Sequence, residues 1–433
     1  MKSKLIPTSI FIFLFLIFNS TKIKASNKEI SQINKSGSGT LVIVGGALAD
    51  SNYAVFNAML NSVGGVNNAK VAIIPAASSK PSRYGTLFKN KMTELGVDSK
   101  AIHILPIAVT DDASTKGFDE STWINNANDI KFAKQLSDKN LVWFTGGDQT
   151  RITRTLVNQD GSDSLVLEQL RRIYNQGGTI GGTSAGAAIM SNSMVASGDS
   201  FSALKMGFTD HYNSMDEQEN GPVLLSKGLG FFAHGVIDQH FDRKARLGRL
   251  IAVLHKQNEK LGFGIDEDTA LVFNASSNTF TVIGPGMVTV VDISNSQIRR
   301  DTTKGLTANN IDISLLSSGD SFSLSTKKIA AHKSKVSTIN HEIYSVPNPI
   351  VSGTLSRNSM LKQLLTYDLI DNKAAKSAKS YLFNDGNTGF ELIFKQTPKT
   401  KGYWAYFDGM KDFYSAFHID MSIKPILIEI KDL

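Results

Sequence analysis

Cysteine is absent from the 433-residue sequence, and proline is sparse, with 10 residues. Without cysteine the chain can have no cysteine nucleophile, no thiolate zinc site and no disulfide framework. The sequence also lacks an H-E-x-x-H zinc motif, a phosphate-binding Walker loop and a G-x-G-x-x-G segment in a dinucleotide-binding context. We therefore expect a protein that needs no metal and no organic cofactor.

The remaining composition is that of a globular protein. Hydrophobic residues make up 41% of the chain and charged residues 20%, which excludes a collagen-like or wholly disordered protein. A chain of this length supplies enough apolar residues for a sizeable core and corresponds to two or three domains.

Residues 1–25 have the pattern of a secretory signal peptide. Lys2 and Lys4 precede a short apolar run at 10–18, and the segment ends at the small residue Ala25. The run is too short to span a bilayer comfortably. The segment carries four lysines and no acids, so its removal lowers the formal charge from +7 to +3. That surplus does not indicate nucleic acid as a partner, and we expect a secreted or periplasmic protein that leaves the membrane after cleavage.

After a polar linker at 26–39, residues 40–293 alternate between apolar runs and helix-length stretches such as 84–95 and 165–174. The runs are 41–44, 71–75, 102–106 and 141–145. Continuous apolar runs are typical of strands that are covered on both faces. The pattern predicts an α/β fold with a parallel, doubly wound sheet, which binds its ligand at the carboxyl ends of the strands.

The pattern changes after residue 293. Residues 294–338 are rich in Ser, Thr and Asn and are interpreted as a connecting region. Residues 339–433 contain short aromatic and aliphatic runs, such as 403–407 and 426–430, and predict a small β-rich C-terminal module. We interpret its aromatic residues as core, and binding of a polymer or a surface is the alternative.

The strongest local signal is a G-x-S-x-G segment at 182–186, with Ser184 at its centre. Small residues around the Ser suit a sharp strand-to-helix turn, which would lift the hydroxyl out of the sheet. Helix N-terminal amides would then point at a developing oxyanion. An ordinary glycine-rich turn is the alternative, but the position after a strand favours a nucleophile.

A serine nucleophile needs a base, and His240 has the most suggestive position among eight histidines, at the end of an apolar strand. A hydrogen-bonded structural histidine is the alternative interpretation. Arg246 and Arg249, three residues apart, share a helix face that Arg243 continues. Such a row suits a substrate that bears carboxylates, although a solvated basic face would have the same spacing.

Four segments taken together resemble the cyanophycinases, serine peptidases of family S51, which also contains the aspartyl dipeptidases. They are F-T-G-G-D-Q at 144–149, G-T-S-A-G-A-A at 182–188, D-Q-H-F with its basic row from 238, and G-I-D-E-D-T-A at 264–270. The segments occur in the order that the family has, and the resemblance covers about residues 40–293. It implies a fold like that of the class I glutamine amidotransferases, with Ser in place of their Cys.

The resemblance also implies an activity. Ser184 would be the nucleophile and His240 its base, in a secreted exopeptidase that hydrolyses cyanophycin to β-Asp-Arg dipeptides. Amides of Gly147 and Ala185 would hold the oxyanion. The residues that match substrate-pocket positions are Gln149, Asp238, Gln239, Arg246 and Arg249, and Lys244, which stands where the family usually has Arg. Lysine keeps the positive charge but loses the bidentate fork.

The acid of the triad departs from the family pattern. Counted forward from the nucleophile, the expected Glu falls on Ser202, and the neighbouring Asp199 is our prediction for the acid. The following stretch contains the further candidates Asp210, Asp216, Glu217 and Glu219. Two other functions stay open: a dipeptidase for Asp- or isoAsp-containing peptides, and a catalytically weak peptide-binding protein. A homodimer is one expected assembly, because family members often pair.

Overall fold

The structure, a computed structural model, describes residues 38–212, 219–352, 360–383, 387–407, 411–427 and 429. The predicted signal peptide at 1–25 and nearly all of the predicted linker at 26–39 lie outside these residues. None of the described helices is both long enough and apolar enough to cross a membrane.

Helices and strands alternate through the first half of the chain, and strands dominate the second half. The α-helices are α1 (Tyr53–Asn61), α2 (Pro81–Glu94), α3 (Ile130–Lys134), α4 (Gln149–Leu156), α5 (Leu165–Asn175), α6 (Ala185–Ala188), α7 (Ser200–Lys205), α8 (Leu247–Gln257) and α9 (Met360–Leu365). The strands are β1 (Thr40–Val44), β2 (Val71–Ile74), β3 (Ile102–Ile104), β4 (Leu141–Phe144), β5 (Thr179–Thr183), β6 (Ser193–Ser197), β7 (Phe208–Thr209), β8 (Val223–Lys227), β9 (Val236–Gln239), β10 (Leu261–Ile265), β11 (Ala270–Asn274), β12 (Thr279–Ile283), β13 (Val288–Asp292), β14 (Gln297–Asp301), β15 (Gly305–Leu316), β16 (Ser321–Ser323), β17 (Ile329–Ala330), β18 (Val336–Ser337), β19 (Ile350–Ser352), β20 (Ser377–Phe383), β21 (Thr388–Lys395), β22 (Lys401–Phe407) and β23 (Lys411–Leu427).

The first sheet has nine strands in the order β17-β16-β12-β11-β1-β5-β4-β2-β3. Its centre and one side, from β1 to β3, are parallel, and antiparallel strands from β11 outward extend the other side. The four strands predicted from apolar runs are β1 to β4, and they lie within the parallel part. The predicted parallel α/β sheet is therefore confirmed.

Burial on both faces of the sheet explains why the apolar runs are continuous. In β1, Leu41 and Ile43 pack into one hydrophobic cluster, with residues of α4 and α5, while Val42 and Val44 pack into another, with residues of α1. All four side chains are fully buried. Side chains alternate between the faces of a strand, so a strand with helices on both sides has no polar position.

A second sheet begins beside the first and runs into the C-terminal region. Eight of its strands follow the order β9-β10-β13-β15-β23-β21-β20-β19, while β14 pairs with β15, and β22 pairs with β23 and β18. The long strand β15 lies within the Ser/Thr/Asn-rich region 294–338, and it pairs with β13 on one side and β23 on the other. Ile311 and Ile313 are fully buried there. This part of the region is thus built into a sheet, because its few apolar residues alternate along a strand. The domain boundaries at 293 and 338 stay predictions.

The β-rich C-terminal region predicted from sequence is confirmed: β20 pairs with β21, and β23 pairs with both β21 and β22, all antiparallel. The carboxyl ends of β1, β4 and β5 meet at one edge of the first sheet, since these strands are parallel neighbours. The end of β9 reaches the same place, where the His240 N–H donates to the Gly45 carbonyl at 2.6 Å. The fold therefore brings four features to one edge: the Gly45-Gly46 turn after β1, the Gly146-Gly147 turn after β4, Ser184 and His240.

Candidate active site

Ser184 occupies a strained turn between β5 and α6. Its backbone has φ 55° and ψ −108°, a conformation that is costly for a residue with a side chain. The turn is also crowded: a Cβ at Gly182 would lie 2.6 Å from the Gly186 carbonyl oxygen, and one at Gly186 would lie 2.7 Å from that of Phe144. Only glycine fits at these two positions, so the G-x-S-x-G spacing follows from the geometry that presents the hydroxyl.

The Ser184 hydroxyl faces the imidazole of His240. Ser184 Oγ lies 2.8 Å from His240 Nε2, which is hydrogen-bond distance. His240 follows β9 directly and has a positive φ of 46°. The ring is largely buried, and Gly46 lies against it so closely that an added Cβ would be 2.7 Å from Nδ1 and nearer still to Cε1 and Nε2. A glycine at position 46 is therefore required for the ring to occupy its place.

Glu267 completes the line of interacting side chains. Its Oε1 lies 2.6 Å from His240 Nδ1, on the ring edge opposite Ser184. The loop that carries it is held on both sides. Asp268 accepts from the Ala49 N–H at 2.9 Å, and Asp266 accepts from the Met287 N–H at 2.9 Å. Serine, histidine and a carboxylate in this order have the geometry of a nucleophile, its base and the group that orients the base.

Asp199, which the sequence predicted as the acid, has a different role in the structure. Its carboxylate accepts from the Ser202 N–H and Oγ, both at 2.8 Å, and from the Gly221 N–H at 2.6 Å. It therefore caps the N-terminus of α7 and makes no contact with His240, and Ser202 belongs to the same cap. Of the other candidate acids, Glu219 pairs with Lys244, Asp210 is exposed, and Asp216 and Glu217 lie outside the described residues.

Burial and neighbouring positive charges keep His240 neutral. Desolvation, followed by the charges of Arg246, Lys244 and Arg243, holds the pKa of His240 well below its ordinary value. A carboxylate at this place, such as Glu267, raises the pKa of a histidine, but burial has the larger effect on His240. A neutral imidazole at this distance can accept the proton of the Ser184 hydroxyl.

The amides predicted for the oxyanion lie beside the nucleophile. Ala185 is the first residue of α6, and the Gly146-Gly147 turn packs on Ser184, since a Cβ at Gly146 would be 3.3 Å from the Ser184 Cβ. Gly147 has φ +138°, and a Cβ there would lie 2.6 Å from the Ala77 carbonyl carbon. Within the described residues, the amides of Gly147 and Ala185 have no hydrogen-bond partner. Both donors are thus available to a ligand.

Three of the residues predicted to bind substrate are instead buried support. Arg249 donates from Nε and Nη2 to the two carboxylate oxygens of Asp238, at 2.8 and 2.5 Å, and from Nη1 to the Gly198 carbonyl at 2.7 Å. Arg246 donates to the Gln239 carbonyl at 2.6 Å. Arg249 and Asp238 are each 1% exposed and Arg246 is 4% exposed, so substrate does not reach them. The network fixes the strand end that carries His240.

The remaining predicted substrate residues differ in accessibility. Gln239 is buried, but its Oε1 lies 3.5 Å from Ser184 Oγ and borders the reaction centre. Gln149 donates from Nε2 to the carbonyls of Val195 and Ala196, and its Oε1 has no partner among the described residues. Lys244 is paired with Glu219. Arg243 is the exposed member of the basic row, at 57% of its side chain, and its Nη1 lies 3.4 Å from Glu267 Oε1.

Sequence reasoning missed the roles of Glu267 and Gly46. Glu267 stands in the 264–270 segment that the sequence analysis singled out, and Gly46 lies just after the predicted strand at 41–44. Their contacts with His240 join positions far apart in the chain, which spacing within a segment does not reveal.

The comparisons with known proteins point to one family. The model of peptidase family S51 matches residues 40–281. A cyanophycinase of Synechococcus elongatus is 31% identical over 312 residues, covering 70% of this chain and 85% of that protein. Cyanophycinases of Trichormus variabilis and Geminocystis herdmanii are 32% and 30% identical over 276 and 270 residues, covering 62% and 60% of this chain and 80% and 85% of theirs.

Among solved structures, the crystal structure of a peptidase from an acI-B1 Actinobacterium is 19% identical, with a TM-score of 0.44, and covers 67% of this chain and 99% of its own. The sequence matches carry the assignment, because the family model spans more than half of the chain and the relatives share about 30% identity with it. The protein is a serine-type peptidase, and the chain belongs to peptidase family S51.

Proposed function

We propose that this peptidase hydrolyses cyanophycin, a poly-aspartate backbone with arginine on each side-chain carboxyl, and releases β-Asp-Arg dipeptides. Three relatives that match most of their own length are cyanophycinases, which supports this substrate. The observation that carries the mechanism is the continuous line from Ser184 Oγ to His240 and on to Glu267, with contacts of 2.8 and 2.6 Å.

The reaction starts when Ser184 Oγ attacks a backbone carbonyl of the polymer and His240 Nε2 takes the hydroxyl proton. Glu267 stabilises the imidazolium that forms, and it holds the ring in the tautomer with its proton on Nδ1. The amides of Gly147 and Ala185 bind the oxyanion of the tetrahedral intermediate. The intermediate collapses, the amine leaves with the proton from His240, and water then hydrolyses the acyl-enzyme by the same route.

Substrate carboxylates are bound by exposed groups beside the reaction centre and not by the buried arginines. Arg243 contacts Glu267 through Nη1 at 3.4 Å, but its side chain is 57% exposed, so the other donors of its planar guanidinium can still reach a substrate carboxylate. Lys244 adds less, because Glu219 neutralises its charge. That neutralisation favours the second candidate, a dipeptidase for Asp- or isoAsp-containing peptides, since a short substrate needs fewer cationic contacts. We further propose export through residues 1–25, as the terminal pattern predicts.

The test measures dipeptide release from purified cyanophycin by the protein, by Ser184→Ala and by His240→Ala. Release of β-Asp-Arg by the parent, reduced by at least about a thousandfold in both variants, supports the substrate and both roles. Ser193→Ala, in the neighbouring strand β6, is the matched control and should retain the parent rate. Cleavage of Asp-X and isoAsp-X dipeptides without polymer degradation would replace the proposal with the dipeptidase. If the protein binds these peptides and cleaves none of them, the remaining hypothesis is a catalytically weak peptide-binding protein.

A further inference from the structure

One face of the C-terminal sheet carries several aromatic side chains. In the pairing of β22 with β23, Trp404 lies opposite Tyr414 and Tyr406 lies opposite Asp412. Paired residues, and residues two positions apart on one strand, share a face of the sheet. Tyr367, in the π-helical turn Thr366–Ile370 that follows α9, packs on this same face against Tyr414.

The rings form a continuous set. Trp404 contacts Tyr406, with centroids 4.7 Å apart and planes at 74°, and lies 6.4 Å from Tyr414. Tyr367 lies 4.7 Å from Tyr414 and 5.7 Å from Tyr344. Tyr414 is buried beneath the others. We refer to the accessible part, formed by Tyr344, Tyr367, Trp404, Tyr406 and Asp412, as the aromatic surface.

The outer members of the aromatic surface are accessible to solvent. Tyr406 is 57% exposed and Tyr344 is 40% exposed. Val336, opposite Trp404 on β18, is 58% exposed and Ile343 is 66% exposed, so apolar groups continue around the rings. Contiguous exposed apolar groups of this kind are more often binding surfaces than isolated exposed residues are. Packing alone therefore does not account for the patch.

Asp412 lies among these rings, and its hydrogen-bond contacts within the described residues are with neutral donors. Trp404 Nε1 donates to its Oδ1 at 2.8 Å, and the Tyr367 hydroxyl contacts its Oδ2 at 3.4 Å. No lysine, arginine or histidine of the described residues forms an ion pair with it. Two neutral donors leave acceptor positions on the carboxylate unused. A carboxylate framed by aromatic faces suits a guanidinium, which stacks on rings and donates in plane.

The aromatic surface is linked to the active site by α9. Asp242, two residues after His240, accepts from the N–H groups of Leu361 and Lys362 at the start of α9, both at 3.0 Å. From Leu361 to Tyr367 the helical chain rises by about 9 Å. A substrate that contacts both places must therefore extend beyond the residues bound next to Ser184, as a polymer of many repeats does.

We infer that the aromatic surface is a second substrate-binding site, which holds an arginyl side chain of the polymer away from the bond being cleaved. This inference rests on the proposed function for the identity of the ligand. Contact at two places raises the effective concentration of the chain end at Ser184, so the site favours long substrates over short ones.

The test measures binding of cyanophycin to full-length Ser184→Ala protein, alone and combined with Tyr406→Ala, with Asp412→Asn or with both. We expect about threefold weaker binding for Tyr406→Ala, because it removes a partly exposed cation–π contact. We expect about tenfold weaker binding for the two changes together, because Asp412→Asn also removes an ionic contact. Tyr84→Ala is the matched control, because Tyr84 is 50% exposed on α2, and it should bind as the parent does. With Ser184 restored, the same changes should lower kcat/KM for the polymer and leave it unaltered for the two-unit fragment (β-Asp-Arg)₂.

The outcomes separate this inference from the proposed function. Polymer hydrolysis with unchanged binding and kcat/KM in both Tyr406→Ala and Asp412→Asn overturns the second site and leaves the proposed function intact. Polymer binding that weakens in these variants, in a protein that does not cleave the polymer, supports the site and rejects the proposed function. An equal loss of kcat/KM for the polymer and for (β-Asp-Arg)₂ also overturns the second site, because it shows damage to the active site. Tyr406→Ala keeps the test decisive if Asp412→Asn unfolds, since the Tyr406 side chain is largely outside the core.

Discussion

Gly46→Ala should disable the peptidase without unfolding it. A Cβ at this position would lie 2.7 Å from His240 Nδ1 and nearer to Cε1 and Nε2. Atoms in contact stay about 3.5–4.0 Å apart, so the imidazole must retreat by about 1 Å. That movement breaks the 2.8 Å contact with Ser184 Oγ or the 2.6 Å contact with Glu267. A displacement of about 1 Å costs about a hundredfold in rate, and loss of the base raises the cost to about 10⁴-fold.

The assay compares kcat and KM on cyanophycin, the labelling rate with a fluorophosphonate serine reagent, and the melting temperature. We expect kcat to fall by 10²–10⁴-fold, roughly the range for displacement and loss of the base, with little change in KM. Gly46 has φ +121°, so an alanine there also costs about 1–3 kcal/mol of backbone strain.

Gly65→Ala is the control for that backbone strain. Gly65 has φ +93° and no atom within 4 Å of an added Cβ, so it carries the strain without the collision. It should lose stability and keep its rate. Folded Gly46→Ala protein with kcat within about threefold of the parent would refute the argument that the ring position is set by this contact.

Three further predictions concern the residues around His240. Glu267→Gln should lower kcat by about 10⁴-fold, whereas Asp199→Asn should change kcat little, because asparagine is also a good helix cap; equal losses in steady-state kinetics would reject Glu267 as the orienting acid. Because burial lowers the pKa of His240, the acidic limb of the pH profile of kcat/KM should lie below pH 6.5. The free energy of unfolding should also decrease below that pH, because there the unfolded chain takes up a proton that the folded protein does not. A midpoint of the acidic limb at or above pH 6.5 would contradict this prediction. Arg249→Ala should destabilise the fold by about 3–5 kcal/mol in denaturant unfolding, since it leaves a buried carboxylate unpaired, whereas the exposed Arg243→Ala should raise KM at unchanged stability. The opposite pattern would restore Arg249 as a substrate contact.

The buried network around Asp238 shows how a pattern can be recognised and its role misassigned. Spacing alone placed Arg246 and Arg249 on one helix face, and it did not indicate whether that face meets solvent or the protein interior. The structure turns the face inward, where Arg249 is 1% exposed and bonded to Asp238. The row therefore divides: Arg243 is accessible, and the other two arginines support the His240 loop.

For the C-terminal half of the chain, the prediction differs from the structure for a related reason. The region 294–338 is polar in composition, yet β15 forms an interior strand of the second sheet. Its apolar residues alternate with polar ones, and the pairing partners β13 and β23 come from distant parts of the chain. Composition averages over such alternation, so it does not show that a strand is present.

The sequence by itself determined the parallel α/β core, the strained turn at Ser184 and the position of His240 at a strand end. These features depend on residues close together in the chain: continuous apolar runs, small residues around a nucleophile, and a histidine after a strand. Only the tertiary structure decided that Glu267 contacts His240 while Asp199 caps α7, and that Gly46 makes room for the ring. Glu267 reaches His240 because β10 pairs in parallel with β9 and sets Ile265 beside Gln239, and a pairing between strands is not visible in the spacing within one segment.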